Sequence, residues 1–183
     1  MYIDTHAHLN YENKYSDERA LMESIRDAGV DEVIAVGWDL ASSRLAKAVA
    51  ARYEGVYFAA GIHPSDTAKA AESDYDGVEA LLSDEKAVAV GEIGLDYHYP
   101  DNPGRELQKE IFSAQLKLAD EAGLPVVVHS RDAAADTLEL LKDNAELLKR
   151  GGLLHCYSYS AELLREFASH GSFRSTGGIF LCA

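Results

Sequence analysis

Met1-Tyr2-Ile3-Asp4-Thr5-His6-Ala7-His8-Leu9-Asn10 opens the chain, and its reading decides between two folds. Tyr2-Ile3-Asp4-Thr5 reads as a short strand, with two histidines at its C-terminal end. No glycine occurs before Gly29. An open doubly wound sheet would favour a glycine-rich phosphate turn after its first strand. A (β/α)8 barrel instead sets functional side chains at the C-terminal ends of its strands. His6 and His8 at that position favour the barrel.

The rest of the chain keeps one rhythm, short apolar runs alternating with amphipathic stretches. The runs are Glu32–Val36, Val56–Ala60, Ala87–Val90, Pro125–Val128 and Gly152–Leu154. Between them, Ser16-Asp17-Glu18 caps a helix carrying Leu21, Met22 and Ile25 and ending at Gly29. Leu45, Ala48, Val49 and Tyr53 mark a second helix, and Val78, Leu81 and Leu82 a short third. A long helix carries Leu107, Ile111, Phe112, Gln115, Leu116 and Leu118 and stops at Gly123. Asp132 caps a fifth, with Leu138, Leu140, Leu141 and Leu147. Leu163, Leu164 and Phe167 mark a sixth, ended by Gly171, and Phe173 onward is the candidate seventh strand.

Continuous apolar strands alternating with helices imply a parallel sheet covered by helices. The fold class is therefore α/β, of the (β/α)8 TIM-barrel type. Six to seven β/α units are present, against the about 250 residues of a usual barrel. Residues 1–183 are expected to form a single barrel domain that lacks the last strand or strands and helices.

Composition narrows the function. Seventeen Lys and Arg against 31 Asp and Glu give a formal net charge of −14, with 47% hydrophobic and 26% charged residues. That is ordinary globular composition and argues against disorder. It also argues against holding nucleic acid by bulk positive charge. No run of 18 apolar residues exists, and the N-terminus lacks the basic-then-apolar order of a signal peptide. The sequence reading is a cytoplasmic protein with no membrane partner. Cys156 and Cys182 are too few for a disulfide framework. Cys156 has no acid–base partner in sequence and reads as a small buried residue.

Four of the seven histidines fall at C-terminal strand ends: His6, His8, His129 and His155. His63 follows strand three in Gly61-Ile62-His63-Pro64. Glu92 follows strand four in Val90-Gly91-Glu92-Ile93-Gly94-Leu95-Asp96-Tyr97. A parallel barrel brings all of these to one rim, and imidazoles with a carboxylate in one cavity make a divalent-metal site. Residues i and i+2 of a strand point to one side, so His6 and His8 face one cation together. Glu92 has two oxygens and is the candidate bridge between two cations.

Any one of these signals is weak. A lone His-x-His pair is more often packing or surface, and a single strand-end histidine is more often a hydrogen-bonded core residue. Ionisable groups recurring at four strand ends are costly to bury unpaired, which favours metal ligation. Asp4, alternating with His6, is a candidate to orient a ligand histidine. Asp96 is a second-tier candidate whose plainer role is capping the following turn. Arg131 is a candidate to aim its guanidinium at a phosphate, or else an exposed arginine at a helix start. His63 is a candidate to bind the outer part of a substrate, or else to cap the loop beside Pro64. His98 and His170 read as solvated.

In this order and spacing, Asp4-Thr5-His6-Ala7-His8-Leu9, Gly61-Ile62-His63-Pro64, Gly91-Glu92-Ile93-Gly94-Leu95-Asp96-Tyr97, Val128-His129-Ser130-Arg131 and His155-Cys156 resemble the TatD-like deoxyribonucleases. These are metal-dependent hydrolases of the amidohydrolase superfamily. The resemblance runs from residue 2 to about Gly178 and implies a (β/α)8 barrel with one or two divalent ions, Mg, Mn or Zn. On matching positions it implies that His6 and His8 bind the first ion, that Glu92 bridges and takes part in catalysis, and that His129 and His155 complete the second site. It implies phosphodiester hydrolysis on DNA, from a 3′ end with single strands preferred. Removal of D-amino acids from tRNA is also associated with the family.

Two departures stand out. Tyr157 takes the place of a phenylalanine common in relatives. The family's Thr-Asp-x-Pro aspartate, at the end of strand eight, is absent from the 183 residues. Truncation is the favoured explanation, with lowered activity and metal affinity and a possible homo-oligomer through exposed barrel edges as its expected consequences. The alternatives are hydrolysis of an ester or C–N bond in a small molecule, and a metal-binding form impaired in catalysis. Strand four offers Glu92 and no lysine for carboxylation, which counts against the C–N reading.

Overall fold

The structure is a computed structural model, and it describes residues 2–11 and 17–169. Six strands form one sheet in the order of the chain: β1 (Tyr2–Ala7), β2 (Val30–Val36), β3 (Val56–Ala60), β4 (Ala87–Asp96), β5 (Val126–Arg131) and β6 (Gly152–Leu154). Every neighbouring pair is parallel. Each connection carries a helix: α1 (Glu18–Asp27), α2 (Leu40–Arg52), α3 (Glu72–Leu82), α4 (Arg105–Ala122) and α5 (Ala134–Asp143), with α6 (Ala161–Ser169) after β6. Sequential order with parallel pairing curls the sheet, giving an incomplete (β/α)8 barrel. The expected seventh strand, the Gly171 helix end and His170 lie outside the described residues. Among the described residues no helix is long and apolar enough to cross a membrane.

Both faces of the sheet are apolar, as a parallel sheet requires. The convex face packs under the helices, with Phe58, Ile93, Leu95, Phe112 and Leu116 fully buried. Inside the curl, Val36, Ala59, Ala89 and Val127 form a second, smaller cluster flanked by Ile34 and Leu153. Strand residues therefore divide between a helix-covered layer and a barrel interior, while the C-terminal strand ends converge on one rim.

The local sequence sets the helix ends. The Asp17 carboxylate accepts from the Ala20 amide at 2.9 Å and starts α1. Asp39 and Ser42 form a reciprocal capping box at the start of α2. Gly123 ends α4 in the left-handed conformation, φ 65°. Asp132 differs from expectation. Ala133 is the residue before α5, and the Asp132 carboxylate turns to His98, 2.8 Å away. His98 is itself exposed, as expected, and its Nδ1 faces that carboxylate. The apolar stretch ending at Leu147 breaks into α5 and a short 3-10 turn, Ala145–Leu147.

The buried stripe of α4 is Gln108, Phe112, Gln115, Leu116 and Ala119, while Leu107 stays exposed. Its two glutamines clamp strand ends. Gln115 accepts from the Ile62 amide at 2.7 Å and donates to the Ile62 carbonyl at 2.9 Å. Gln108 treats Asp96 in the same way, at 2.8 and 3.0 Å. Each amide side chain satisfies a buried backbone donor and acceptor just where the chain leaves the sheet.

Two variants test this frame. Gln115→Leu leaves the buried Ile62 amide without a partner, and urea denaturation should record a loss of about 1–3 kcal/mol. Asp136 accepts from Lys109 and from the Tyr97 hydroxyl, each at 2.8 Å. These bonds hold its carboxyl below the ordinary value. The contribution is thus full above the unfolded pKa near 4 and disappears as pH falls through the lower folded one. Asp136→Asn should cost about 1 kcal/mol at neutral pH and close to nothing in strong acid.

Candidate metal centre

β1, β4 and β5 deliver the central residues. β1 runs to Ala7, past the expected end at Thr5, so His6 lies within the strand. β4 runs to Asp96 and β5 to Arg131, each well past the apolar run that marks it in the sequence. Glu92 and Asp96 therefore belong to one extended strand. Between them Gly94 pairs with His129 of β5. Gly94 has φ 134°, and a Cβ there would collide with the His129 carbonyl. The backbone approach that sets the histidine between the two carboxylates requires glycine at this position.

Glu92 is 4% exposed and Asp96 3%. Glu92 divides its oxygens. Oε2 lies 3.4 Å from His6 Nε2 and 3.9 Å from His8 Nε2. Oε1 lies 2.9 Å from His129 Nδ1. The other nitrogen of His129, Nε2, faces Asp96 Oδ2 at 3.0 Å. Donor atoms of His6, His8 and Glu92 fall within 4.8 Å of one another, and so do those of His63, Glu92 and His129. The carboxylate of Glu92 is common to both groups.

Burial pushes the Glu92 carboxyl up, but hydrogen bonds from His129 and His6 outweigh it and hold it well below the carboxylate range. Burial pulls the His129 imidazole down, yet Asp96 and Glu92 raise it to about 9. To hold a cation through Nδ1 the ring would give up the proton there, since a ligand imidazole is neutral, while the Asp96 bond to Nε2 would remain. Asp96 is lowered, the His129 bond overcoming burial. His63 and His155 are both lowered to about 4, chiefly by burial, so both rings are neutral at pH 7.

Tautomers follow from the outer partners. His8 Nδ1 donates to the Val36 carbonyl at 3.0 Å, which leaves the lone pair on Nε2 facing His6 and Glu92. His63 Nδ1 accepts from the Ser65 amide at 3.2 Å, which puts its proton on Nε2. His6 Nδ1 is buried without a hydrogen-bond partner. A neutral imidazole with its lone pair facing a carboxylate and a second imidazole is the donor set of a divalent cation. The residues present fit such an ion.

The other expected residues are placed as follows. His155 stacks on His6, centroids 3.4 Å apart and planes 12° from parallel, outside both close donor groups. His63 sits edge-on to His129 with centroids 4.4 Å apart, nearer the centre than expected. Arg131 is exposed, its guanidinium 3.2 Å from the Tyr99 hydroxyl. Asp4 is also exposed and accepts from the His6 backbone amide at 3.0 Å, so it fixes the strand rather than an imidazole ring. Cys156 is half-buried with φ 45°, not fully buried as expected. Asp96 caps the turn through Oδ1, which accepts from the His98 amide at 2.9 Å, and reaches His129 through Oδ2. Its i+4 spacing from Glu92 on an extended strand was the available signal.

A model of the family described as TatD related DNase matches residues 3–183. The chain belongs to this family. It is 38% identical to the uncharacterized metal-dependent hydrolase YabD of Bacillus subtilis, over 97% of this chain and 69% of that one. It is 35% identical to the 3′-5′ ssDNA/RNA exonuclease TatD of Cronobacter sakazakii, over 88% of this chain and 61% of that one. The crystal structure of the TatD homologue YjjV from Escherichia coli K12 superposes with a TM-score of 0.86 at 33% identity, over 92% of this chain and 64% of that one. The chain thus spans roughly two thirds of the length of these relatives.

The bond between Asp96 and His129 supplies a test. Loss of a carboxylate that orients a ligand histidine weakens metal binding about 10- to 100-fold. Asp96→Ala should show that loss for Mn²⁺ or Zn²⁺ in calorimetric titration, while Asp4→Ala, at the exposed start of the strand, should leave affinity almost unchanged.

Proposed function

We propose that this protein hydrolyses phosphodiester bonds of DNA, acting on single strands from a 3′ end, at a centre of one or two divalent cations. The observation that carries the reading is the way Glu92 turns one oxygen to His6 and His8 and the other to His129. A carboxylate shared by two donor groups suits a pair of cations better than one. Membership of a family described as DNase, and likeness to an exonuclease acting on single strands, support the choice of substrate.

His6, His8 and Glu92 would hold one cation, and Glu92 with His129 the other. His155 borders the centre on the open face of His6. Bound there, the ions supply Lewis acidity, lowering the pKa of water and neutralising charge on the phosphoryl oxygens. The chain does the rest. Burial of Glu92 keeps the site dry and its field strong. His63, neutral with its proton on Nε2, donates to a phosphoryl oxygen. Arg131, exposed at the C-terminal end of β5, would meet the next phosphate along the strand.

The test is Glu92→Ala on a 3′-labelled single strand with saturating Mg²⁺ or Mn²⁺. Degradation should fall at least about 10³-fold, the scale expected when a transition-state stabiliser is removed. Chelation of the wild-type protein should abolish the activity, and added Mn²⁺ should restore it. An undiminished rate in Glu92→Ala sinks the bridging role. A protein that cuts neither DNA nor RNA with any divalent ion sinks the nuclease reading.

A further inference from the structure

A cavity of about 300 Å³ opens beside the centre, lined by His8, Tyr11, Trp38, His63, Ser65, Asp66 and Glu92; the Asp66 carboxylate is engaged by Lys69 and the Ser65 hydroxyl. Trp38 follows β2 and is the only tryptophan in the chain. Its ring lies edge-on to His8, centroids 5.3 Å apart and planes at 79°. Tyr11, itself exposed, sits on the indole at 4.8 Å with a tilt of 34°. The backbone beneath is fixed from both sides. The Trp38 amide donates to Ser42 Oγ at 2.8 Å, and its carbonyl accepts from the His63 amide at 2.8 Å. A half-buried aromatic wall on a rigid support therefore stands next to the ionisable cluster.

We infer that this cleft is a nucleobase subsite, in which Trp38, backed by Tyr11, stacks the base of the nucleotide whose phosphate faces His8 and Glu92. The inference rests on the nuclease reading above and names what that site grips. Three arguments lead to it. A chain of net charge −14 has no bulk attraction for a polyanion, so beyond the phosphate held at the centre a strand needs contacts indifferent to charge. Stacking on aromatic rings is such a contact, and it tolerates every base. The cleft is at the small end of ligand pockets, which suits one base and not a duplex.

The experiment follows Trp38 emission while the full chain, with saturating Mg²⁺, is titrated with thymidine 5′-monophosphate. The base-free control is 2-deoxyribose 5-phosphate. The nucleotide should quench the emission saturably and the control should not. By calorimetry Trp38→Leu should weaken the nucleotide roughly 5- to 150-fold and the control by less than about twofold, with Trp38→Phe recovering most of the loss. If Trp38→Leu does not fold, Tyr11→Leu at an exposed ring makes the same comparison. Absence of quenching by the nucleotide, or equal weakening of both ligands, overturns the subsite. Because the readout is binding, the two readings fail separately. Nucleotide stacking without cleavage of any strand removes the nuclease and keeps the subsite, whereas cleavage without stacking does the reverse.

Discussion

A carboxylate buried to 4% exposure is the constraint on which the site depends. Glu92 is expensive to keep ionised away from water unless positive or polarisable partners surround it. The fold meets this cost from separate strands. β1 brings His6 and the residue after it His8, β5 brings His129, and the segment after β3 brings His63. No local stretch of sequence could gather so many imidazoles round one acid. A parallel, sequentially ordered sheet does so because all its C-terminal ends lie on the same rim. The site is thus a consequence of topology first and of side-chain choice second.

The same constraint explains features that look unrelated to chemistry. Gly91 and Gly94 interrupt an otherwise largely apolar strand. In the structure a Cβ at Gly91 would meet Val127, 2.6 Å away, and one at Gly94 would strike the His129 backbone. Both glycines let β4 and β5 approach closely beside the site. Gln108 and Gln115 serve the same end from the helical side. Each is buried on α4 and bonded to the backbone at Asp96 or Ile62. An apolar side chain would pack there but would leave the strand exit without its hydrogen-bond partner.

How much of this was legible in the sequence follows from what each signal measures. Alternation of apolar runs with amphipathic stretches reports burial, and it located the six strands and six α-helices of the described residues but not the short 3-10 turns Pro64–Asp66 and Ala145–Leu147. It could not place strand ends, because burial changes character where the rim begins. β4 continues six residues beyond its apolar run and β5 three, through Glu92, Asp96, His129 and Arg131. Candidate ligands were visible because imidazoles at strand ends are unusual. Their partners were not, because pairing depends on register. That is why Asp96 was ranked below its place beside His129, why Asp132 was read as a helix cap when it pairs with His98, and why Trp38, a rim residue after β2, was not singled out.

Electrostatics joins site to substrate. An acidic chain that handles a polyanion faces repulsion, which salt largely screens beyond a Debye length of about 8 Å. Inside that distance the local charges decide. The carboxylates of Glu92 and Asp96 outnumber the one imidazole raised beside them, His129, and the buried rings of His63 and His155 are neutral, so the rim by itself does not attract phosphate. Attraction requires cations held at the Glu92 cluster. This makes the metal both the chemical agent and the electrostatic gate of the proposed reaction. A strand would be held by its phosphate only where it can also be processed. Neutral aromatic rings at the same rim then supply the remaining grip without reversing the sign of the surface.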